Sequence, residues 1–350
     1  MNALQIKPRK ILIRAPNWVG DALLTTPIIH WLRKNLSDSE ITVLARPWVT
    51  PIFEASPEVD GLILYEHRGL HQGIQGKLHL ARLLRARKFE AVIHFPHSFE
   101  SAWISHLSRI PIRIGYATEG RRWLLTHPLR SSQDLRSVHQ VTYFFHLLEP
   151  LGIKKNPSPE KDPLRLTVAP DHKKKMALAL KTRGISSKDP LVGIAPGAIY
   201  GSAKCWPFQR FEALAERIRQ EWPARIILLG TVHDAQGVPV KDNPPYLNLV
   251  GKTGLGEALA LMEKCRLIIA NDSGLMHAAT ALKVPLVALF GPTDLKRTGP
   301  WGKNFKIVRK DFPCSPCLKK SCPEQKTCLE AIEVEEVWEA VRGFKDQVLR

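Results

Sequence analysis

Leu267-Ile268-Ile269-Ala270-Asn271-Asp272-Ser273-Gly274-Leu275-Met276-His277 runs from an apolar, strand-like segment through a polar turn into a helix-forming stretch. The first N–H groups of a helix lack intrahelical acceptors and lie at the positive end of its dipole, so such a junction suits a phosphate. Ser273 and Gly274 can present these N–H groups, Gly274 lets a ligand approach the main chain, and His277 lies one turn further on. Asp272 or Ser273 as a plain helix cap is the simpler account of the same residues, so the other loops must decide.

Working outward, the second half alternates Leu191-Val192-Gly193-Ile194, a helix over 208–221, Ile226-Ile227-Leu228-Leu229, a helix over 255–264, the strand 267–270, a helix over 275–282 and a strand over 286–290. The first half alternates in the same way: Ile11-Leu12-Ile13, Ile41-Thr42-Val43-Leu44, Leu62-Ile63-Leu64 and Ala91-Val92-Ile93, with amphipathic stretches 22–35 and 77–87 between them. This rhythm predicts α/β architecture with two doubly wound parallel sheets in series. Pro157, Pro159, Pro163, Pro170 and Pro190 surround a lysine-rich stretch, which places a linker region at 161–190 between domains 1–160 and 191–330. Residues 331–350 read as a C-terminal helix, with Val334, Val337, Trp338, Val341, Phe344 and Val348 along one side.

The chain of 350 residues is long enough for two cores. No apolar run spans a bilayer, and Met1 to Arg9 lacks the apolar centre of a signal peptide, so a cytoplasmic location is expected. A formal net charge of +18, from 51 Lys and Arg against 33 Asp and Glu, points to a polyanionic partner. No RNA-binding aromatic signature, zinc-finger spacing or basic heptad helix is present, which argues against nucleic acid.

Ligands of such sheets collect outside the carboxyl ends of the strands. There the sequence places Asn17-Trp18-Val19-Gly20-Asp21, Pro196 to Lys204, Gly230 to Asp234 and Gly291-Pro292-Thr293-Asp294. The Gly197–Lys204 loop lacks the spacing of a triphosphatase phosphate loop, and Gly20 stands alone where a dinucleotide fingerprint needs three glycines. What remains is a loop with the Tyr200 and Ser202 hydroxyls and the Lys204 cation, suited with the Ser273 helix start to a nucleotide diphosphate. No Asp-x-Asp pair offers a divalent ion a seat on that diphosphate, so Lys204 and the helix dipole are expected to stabilise it, with no cofactor required. Asp21 reads either as the cap of helix 22–35 or as a carboxylate that accepts a proton from an attacking hydroxyl.

Asn17-Trp18-Val19-Gly20-Asp21, Gly201-Ser202-Ala203-Lys204-Cys205-Trp206-Pro207, Asn271-Asp272-Ser273-Gly274-Leu275-Met276-His277 and Phe290-Gly291-Pro292-Thr293-Asp294 resemble, in order and over about residues 10–335, the lipopolysaccharide heptosyltransferases of glycosyltransferase family nine. The resemblance implies a GT-B fold of two Rossmann-like domains facing across a cleft, the first binding the acceptor and the second the nucleotide sugar. It implies inverting transfer from ADP-L-glycero-β-D-manno-heptose to the first heptose of the phosphorylated lipid A–Kdo inner core. It makes Asp21 the catalytic base and assigns the donor to Lys204 and the turn Asp272, Ser273, Gly274, Leu275 and His277, with Tyr200 and Ser202 beside them. Asn17 and Trp18 then face the acceptor; Arg121 and Arg122 are added as acceptor-phosphate contacts from charge alone. Cys205 stands where the family pattern leads us to expect arginine. The resemblance also leads us to expect the last helix to cross back onto the first domain, whereas packing in a core is the simpler account of its stripe. Positive charge suits a peripheral enzyme at the cytoplasmic face of the inner membrane. The rivals are a family-nine enzyme with a different acceptor and a non-catalytic protein binding glycolipid or nucleic acid.

Cys314, Cys317, Cys322 and Cys328 follow a C-x2-C-x4-C-x5-C spacing, close enough for one tetrahedral ion, with Lys319, Lys320 and Lys326 to offset thiolate charge. A structural zinc or iron–sulfur site is one expectation; reduced thiols or a single disulfide is the other.

Overall fold

The computed structural model describes residues 7–235, 237–238, 244–323 and 327–349. Met1–Ile6, Lys326 and the final Arg350 of the last segment lie outside them. The chain divides into two compact units, Met1–Thr167 and Val168–Arg350.

In the first unit the strands are β1 (Lys10–Arg14), β2 (Glu40–Ala45), β3 (Gly61–Leu64), β4 (Ala91–His94), β5 (Ile112–Tyr116) and β6 (His127–Leu129). They form one parallel sheet in the order β3-β2-β1-β4-β5-β6. In the second unit β7 (Leu191–Ala195), β8 (Arg225–Leu228), β9 (Leu247–Asn248), β10 (Leu267–Asn271), β11 (Leu286–Phe290) and β12 (Phe305–Arg309) pair in the order β12-β11-β10-β7-β8-β9, again all parallel. Counted from its own first strand, each unit has the same winding, and in each the order reverses beside the first strand. The crevice at that reversal, between β1 and β4 or between β7 and β10, is where a doubly wound sheet leaves room for a ligand. Helices cover the sheets, so their central strands are buried, unlike the alternating strands of a half-exposed sheet.

The expected strands are all present, while β5, β6, β9 and β12 were not anticipated. β5 carries Arg113 and Gly115, and β12 alternates Lys306 and Arg309 with apolar residues. β12 lies at the edge of its sheet and β5 next to the edge of the other, where such polarity is tolerated, and it removes the apolar run that marks the central strands.

The expected helix 22–35 is two helices, Val19–Leu24 and Thr26–Asn35. Pro27 has no N–H for the Leu23 carbonyl, and the Thr26 hydroxyl donates to that oxygen at 2.7 Å instead. The Thr25 hydroxyl likewise donates to the Ala22 carbonyl at 2.7 Å. The break places Asp21 in the first turn of the shorter helix, behind Trp18 at the cap position. Asp21 is therefore not the cap.

Within 161–190 lies the helix Pro170–Lys181, which starts on its proline and packs on the helix Leu255–Lys264. Lys173 and Lys175 reach Glu263 and Glu257 on that partner. The C-terminal helix Val334–Arg342 places Val337, Trp338 and Val341 in the core of the second unit, against Leu214 and Ile218 of the helix Phe208–Glu221. Trp338 tilts on Trp222 with ring centroids 5.4 Å apart. The stripe is packed into a core, the simpler of its two accounts, against the second unit's own sheet and helix, because burying it beside β11 and β12 completes that layer.

Candidate active site

At the reversal of the second sheet, the loop after β7 and the turn after β10 are joined by side chains. Asn271, the last residue of β10, donates from Nδ2 to the Pro196 carbonyl at 2.6 Å, and its Oδ1 accepts from the Trp206 N–H at 3.2 Å. One buried amide therefore holds both ends of the 196–206 loop. Within it, Gly201 is required by close approach, since a Cβ there would stand 2.2 Å from the Lys320 carbonyl oxygen.

Lys204 is ion-paired to Asp272 at 2.6 Å, with side chains only 12% and 5% exposed. The same Asp272 oxygen accepts from the Thr293 hydroxyl at the end of β11. The ammonium lies 5.0 Å from the Tyr200 ring centroid, and the Tyr200 hydroxyl donates to the Leu318 carbonyl at 2.6 Å. Asp272 thus anchors the cation, and Lys204 retains further N–H donors that it can aim elsewhere. Ser202 is exposed beside it, and burial pushes the Cys205 thiol up.

Ser273 occupies the cap position of the helix Gly274–Ala281, yet its side chain caps nothing and its buried Oγ has no hydrogen-bond partner. The first-turn N–H groups of Gly274 and Leu275 lack intrahelical acceptors, and His277 is buried one turn on. An orphaned hydroxyl beside a helix mouth suits phosphate oxygens.

In the first unit, the tip after β1 is fixed by cations that sequence reasoning missed. Asn17 Oδ1 accepts from Arg14 at 2.8 Å and from Arg46 at 2.9 Å, while its carbonyl accepts from the Trp48 indole at 2.7 Å. Burial, followed by the Arg46 cation, pulls the Arg14 guanidinium down to about 10. Both arginines stack over Tyr65, whose hydroxyl donates to Glu100. Burial pushes the Glu100 carboxyl up, but hydrogen bonds from Lys77 and Tyr65 outweigh it and hold the group below its usual range. An arginine closing an otherwise apolar strand, immediately before a polar tip, was the available signal. Asp21, four residues beyond Asn17 in the first turn of the helix Val19–Leu24, is half-buried, and Trp18 is exposed.

Arg121 and Arg122 separate. Arg121 is 0% exposed and donates to the carbonyls of Tyr116, Pro96 and Ser98 and to the Ser101 hydroxyl, at 2.9, 2.7, 3.1 and 3.0 Å. Burial pulls it down to about 10. It pins loops from inside and cannot meet an acceptor phosphate, which corrects that assignment. Arg122 is exposed and lines an open cavity of about 600 Å³ with Arg130, His146 and Glu149.

The four clustered cysteines are all free and line one small cavity. Among the described residues, no three His, Cys, Asp or Glu side chains are drawn together as an ion-holding group.

Two parallel doubly wound units set the fold class, and sequence comparison specifies the family. Residues 77–328 match Glycosyltransferase family 9 (heptosyltransferase). The chain belongs to this family and is a glycosyltransferase. It is 31% identical over 312 residues to lipopolysaccharide heptosyltransferase 2 of Salmonella typhimurium strain LT2, covering 86% of this chain and 88% of that one. Identity to lipopolysaccharide heptosyltransferase 3 of Escherichia coli K12 is 30% over 299 residues, covering 82% and 83%. The solved structure of the E. coli ADP-heptose lps heptosyltransferase II superposes with a TM-score of 0.79 at 27% identity, over 97% of this chain and 99% of that one.

The buried pair at the junction carries a test. Replacing Asp272 with Ala strands the Lys204 ammonium and should cost about 3–5 kcal/mol in urea unfolding. Adding Lys204→Met in the same chain should restore much of it, and a loss in the double variant equal to the sum of the two single-variant losses would mean that the two groups are not coupled.

Proposed function

We propose that this chain moves a heptose from ADP-L-glycero-β-D-manno-heptose to the first heptose of the lipid A–Kdo inner core, with inversion, in lipopolysaccharide synthesis. The observation that carries the donor half is the junction of Lys204, held by an Asp272 that also accepts from Thr293, with the unpartnered Ser273 hydroxyl at a helix mouth. The relatives named above support the heptose and the acceptor.

In this reading the Lys204 ammonium and the N–H groups of Gly274 and Leu275 take the charge that grows on the departing diphosphate. The acceptor hydroxyl oxygen forms the new bond to the anomeric carbon. The old bond from that carbon to the β-phosphate oxygen breaks, its electron pair leaves with ADP, and the hydroxyl proton passes to Asp21. Asp21 lies in the first turn of its helix, where the dipole favours the ionised carboxylate needed to receive that proton. Asn17, immobilised by Arg14 and Arg46, and the exposed Trp18 are the acceptor-side contacts, together with Arg122.

Donor choice is read by thermal shift: ADP should raise the melting temperature more than UDP or GDP, and Lys204→Ala should weaken ADP binding by roughly tenfold, the loss of one charge-assisted contact. Preference for UDP or GDP would overturn the donor. Asp21→Ala should lower kcat by about a thousandfold on a lipid A–Kdo–heptose acceptor while leaving ADP-heptose binding unchanged. Normal turnover would remove Asp21 from the mechanism, and transfer only to a different heptosyl acceptor would favour the rival family-nine reading.

Among the described residues no helix is long and apolar enough to cross a membrane. With a net charge of +18 and exposed Trp18, Trp48 and Trp123, we infer peripheral attachment to an anionic surface. Co-sedimentation with anionic vesicles should fall steeply as ionic strength rises from about 0.05 to about 0.5 M; salt-insensitive binding would refute an electrostatic attachment.

A further inference from the structure

The transferase chemistry leaves one cluster unused. Cys314, Cys317, Cys322 and Cys328 all line a single cavity of about 20 Å³ that also touches Ala203 and Pro292. That volume is about one water-sized sphere, and an ordered water there would need two to four polar partners. Thiols are weak hydrogen-bonding groups but strong ligands for soft ions. All four are free, and they grade from exposed Cys314 to buried Cys328, which leaves an approach from solvent.

The segment bearing them is bound by its main chain to both sides of the diphosphate junction. The Leu318 and Lys320 carbonyls accept from the Tyr200 hydroxyl and from the Ala203 N–H, at 2.6 and 3.1 Å. On the other side, the Leu318 N–H donates to the Pro292 carbonyl at 2.9 Å and the Ser315 hydroxyl to the Gly291 carbonyl at 2.8 Å. The chain between Cys317 and Cys322 therefore lies across the loop that carries Lys204 and the strand end that carries Thr293.

We propose that this cavity binds one thiophilic metal ion, zinc or mononuclear iron, through Cys314, Cys317, Cys322 and Cys328, and that the ion fixes the strap which positions the Lys204 loop. The cavity, about one water-sized sphere, has room for a single ion. Because the thiols are not drawn together as an ion-holding group, binding must turn them inward about their Cα–Cβ bonds. A tetrahedral ion with four sulfur ligands needs no open coordination position, so its role is structural and no step of transfer passes through it. Metal uptake stands apart from the proposed heptose chemistry; only the effect on the Lys204 loop rests on that reading.

Full-length protein purified without chelator should contain about one equivalent of zinc or iron per chain by elemental analysis, and the metal found distinguishes the two. Chelated protein should take up zinc(II), and cobalt(II) as a probe should give thiolate charge-transfer absorption. Cys317→Ser and Cys322→Ser should lose that absorption. Should those variants fail to fold, chelation and re-addition of zinc(II) to the wild-type chain gives the same comparison. Removing the metal should weaken ADP binding by roughly tenfold, as expected for a displaced charge-assisted contact. A cooperatively folded wild-type chain that takes up no stoichiometric zinc, iron or cobalt would overturn the site. ADP affinity unchanged after full metal removal would overturn the link to the Lys204 loop. Failure of the donor reading is separately visible, as normal metal uptake with no ADP binding in either form.

Discussion

An ammonium and a carboxylate 2.6 Å apart, nearly out of solvent, organise the second unit. Desolvating two charges is costly unless their geometry and remaining hydrogen bonds compensate, and here the Thr293 hydroxyl supplies a further contact to the same Asp272 oxygen. The pair exists because the strand order sets β10 between β7 and β11, so that residues far apart in the chain leave adjacent strand ends. Lys204 comes from the first of these ends, Asp272 from the second and Thr293 from the third. Asn271, one residue before Asp272, adds the two hydrogen bonds that hold the 196–206 loop to β10. A long, flexible lysine is thereby given one direction, which is what a donor aimed at a leaving group requires.

The two units repeat one winding and differ in what they hold at its reversal. In the first, two arginines converge on the Asn17 amide and a carboxylate follows in the first helical turn. In the second, a lysine and a helix mouth are presented together. The first arrangement suits a neutral or acidic acceptor and the transfer of a proton; the second suits a diphosphate. One fold run twice can divide the labour of transfer because the sheet sets where ligands sit, while the loops after its strands set what they meet.

Neighbouring residues of one type can have opposite fates, and charge counting does not see it. Arg121 turns inward to bridge three carbonyls and a hydroxyl, while Arg122 reaches solvent one residue later. Cys314, Cys317, Cys322 and Cys328 show the same limit, since their spacing is visible in the chain while the cavity they share with Ala203 is not. The broken first helix lies between these cases. Pro27 stands in the sequence inside the expected stretch 22–35, but the hydroxyls of Thr25 and Thr26 that take up the carbonyls behind it emerge only with the backbone in place.

The order of short β-branched runs and amphipathic stretches determined, from sequence alone, two parallel α/β units and the polar tips at their strand ends, because both signals are local and periodic. The helix Phe208–Glu221 and the strand Leu286–Phe290 could be read residue for residue on that basis. Tertiary structure alone decided that Asp272 anchors Lys204, that Arg14 and Arg46 meet on Asn17, that the last helix completes the second core, and that Arg121 is internal. Each of these joins residues from different strands or loops, and such a contact depends on strand order and register, which no local pattern encodes.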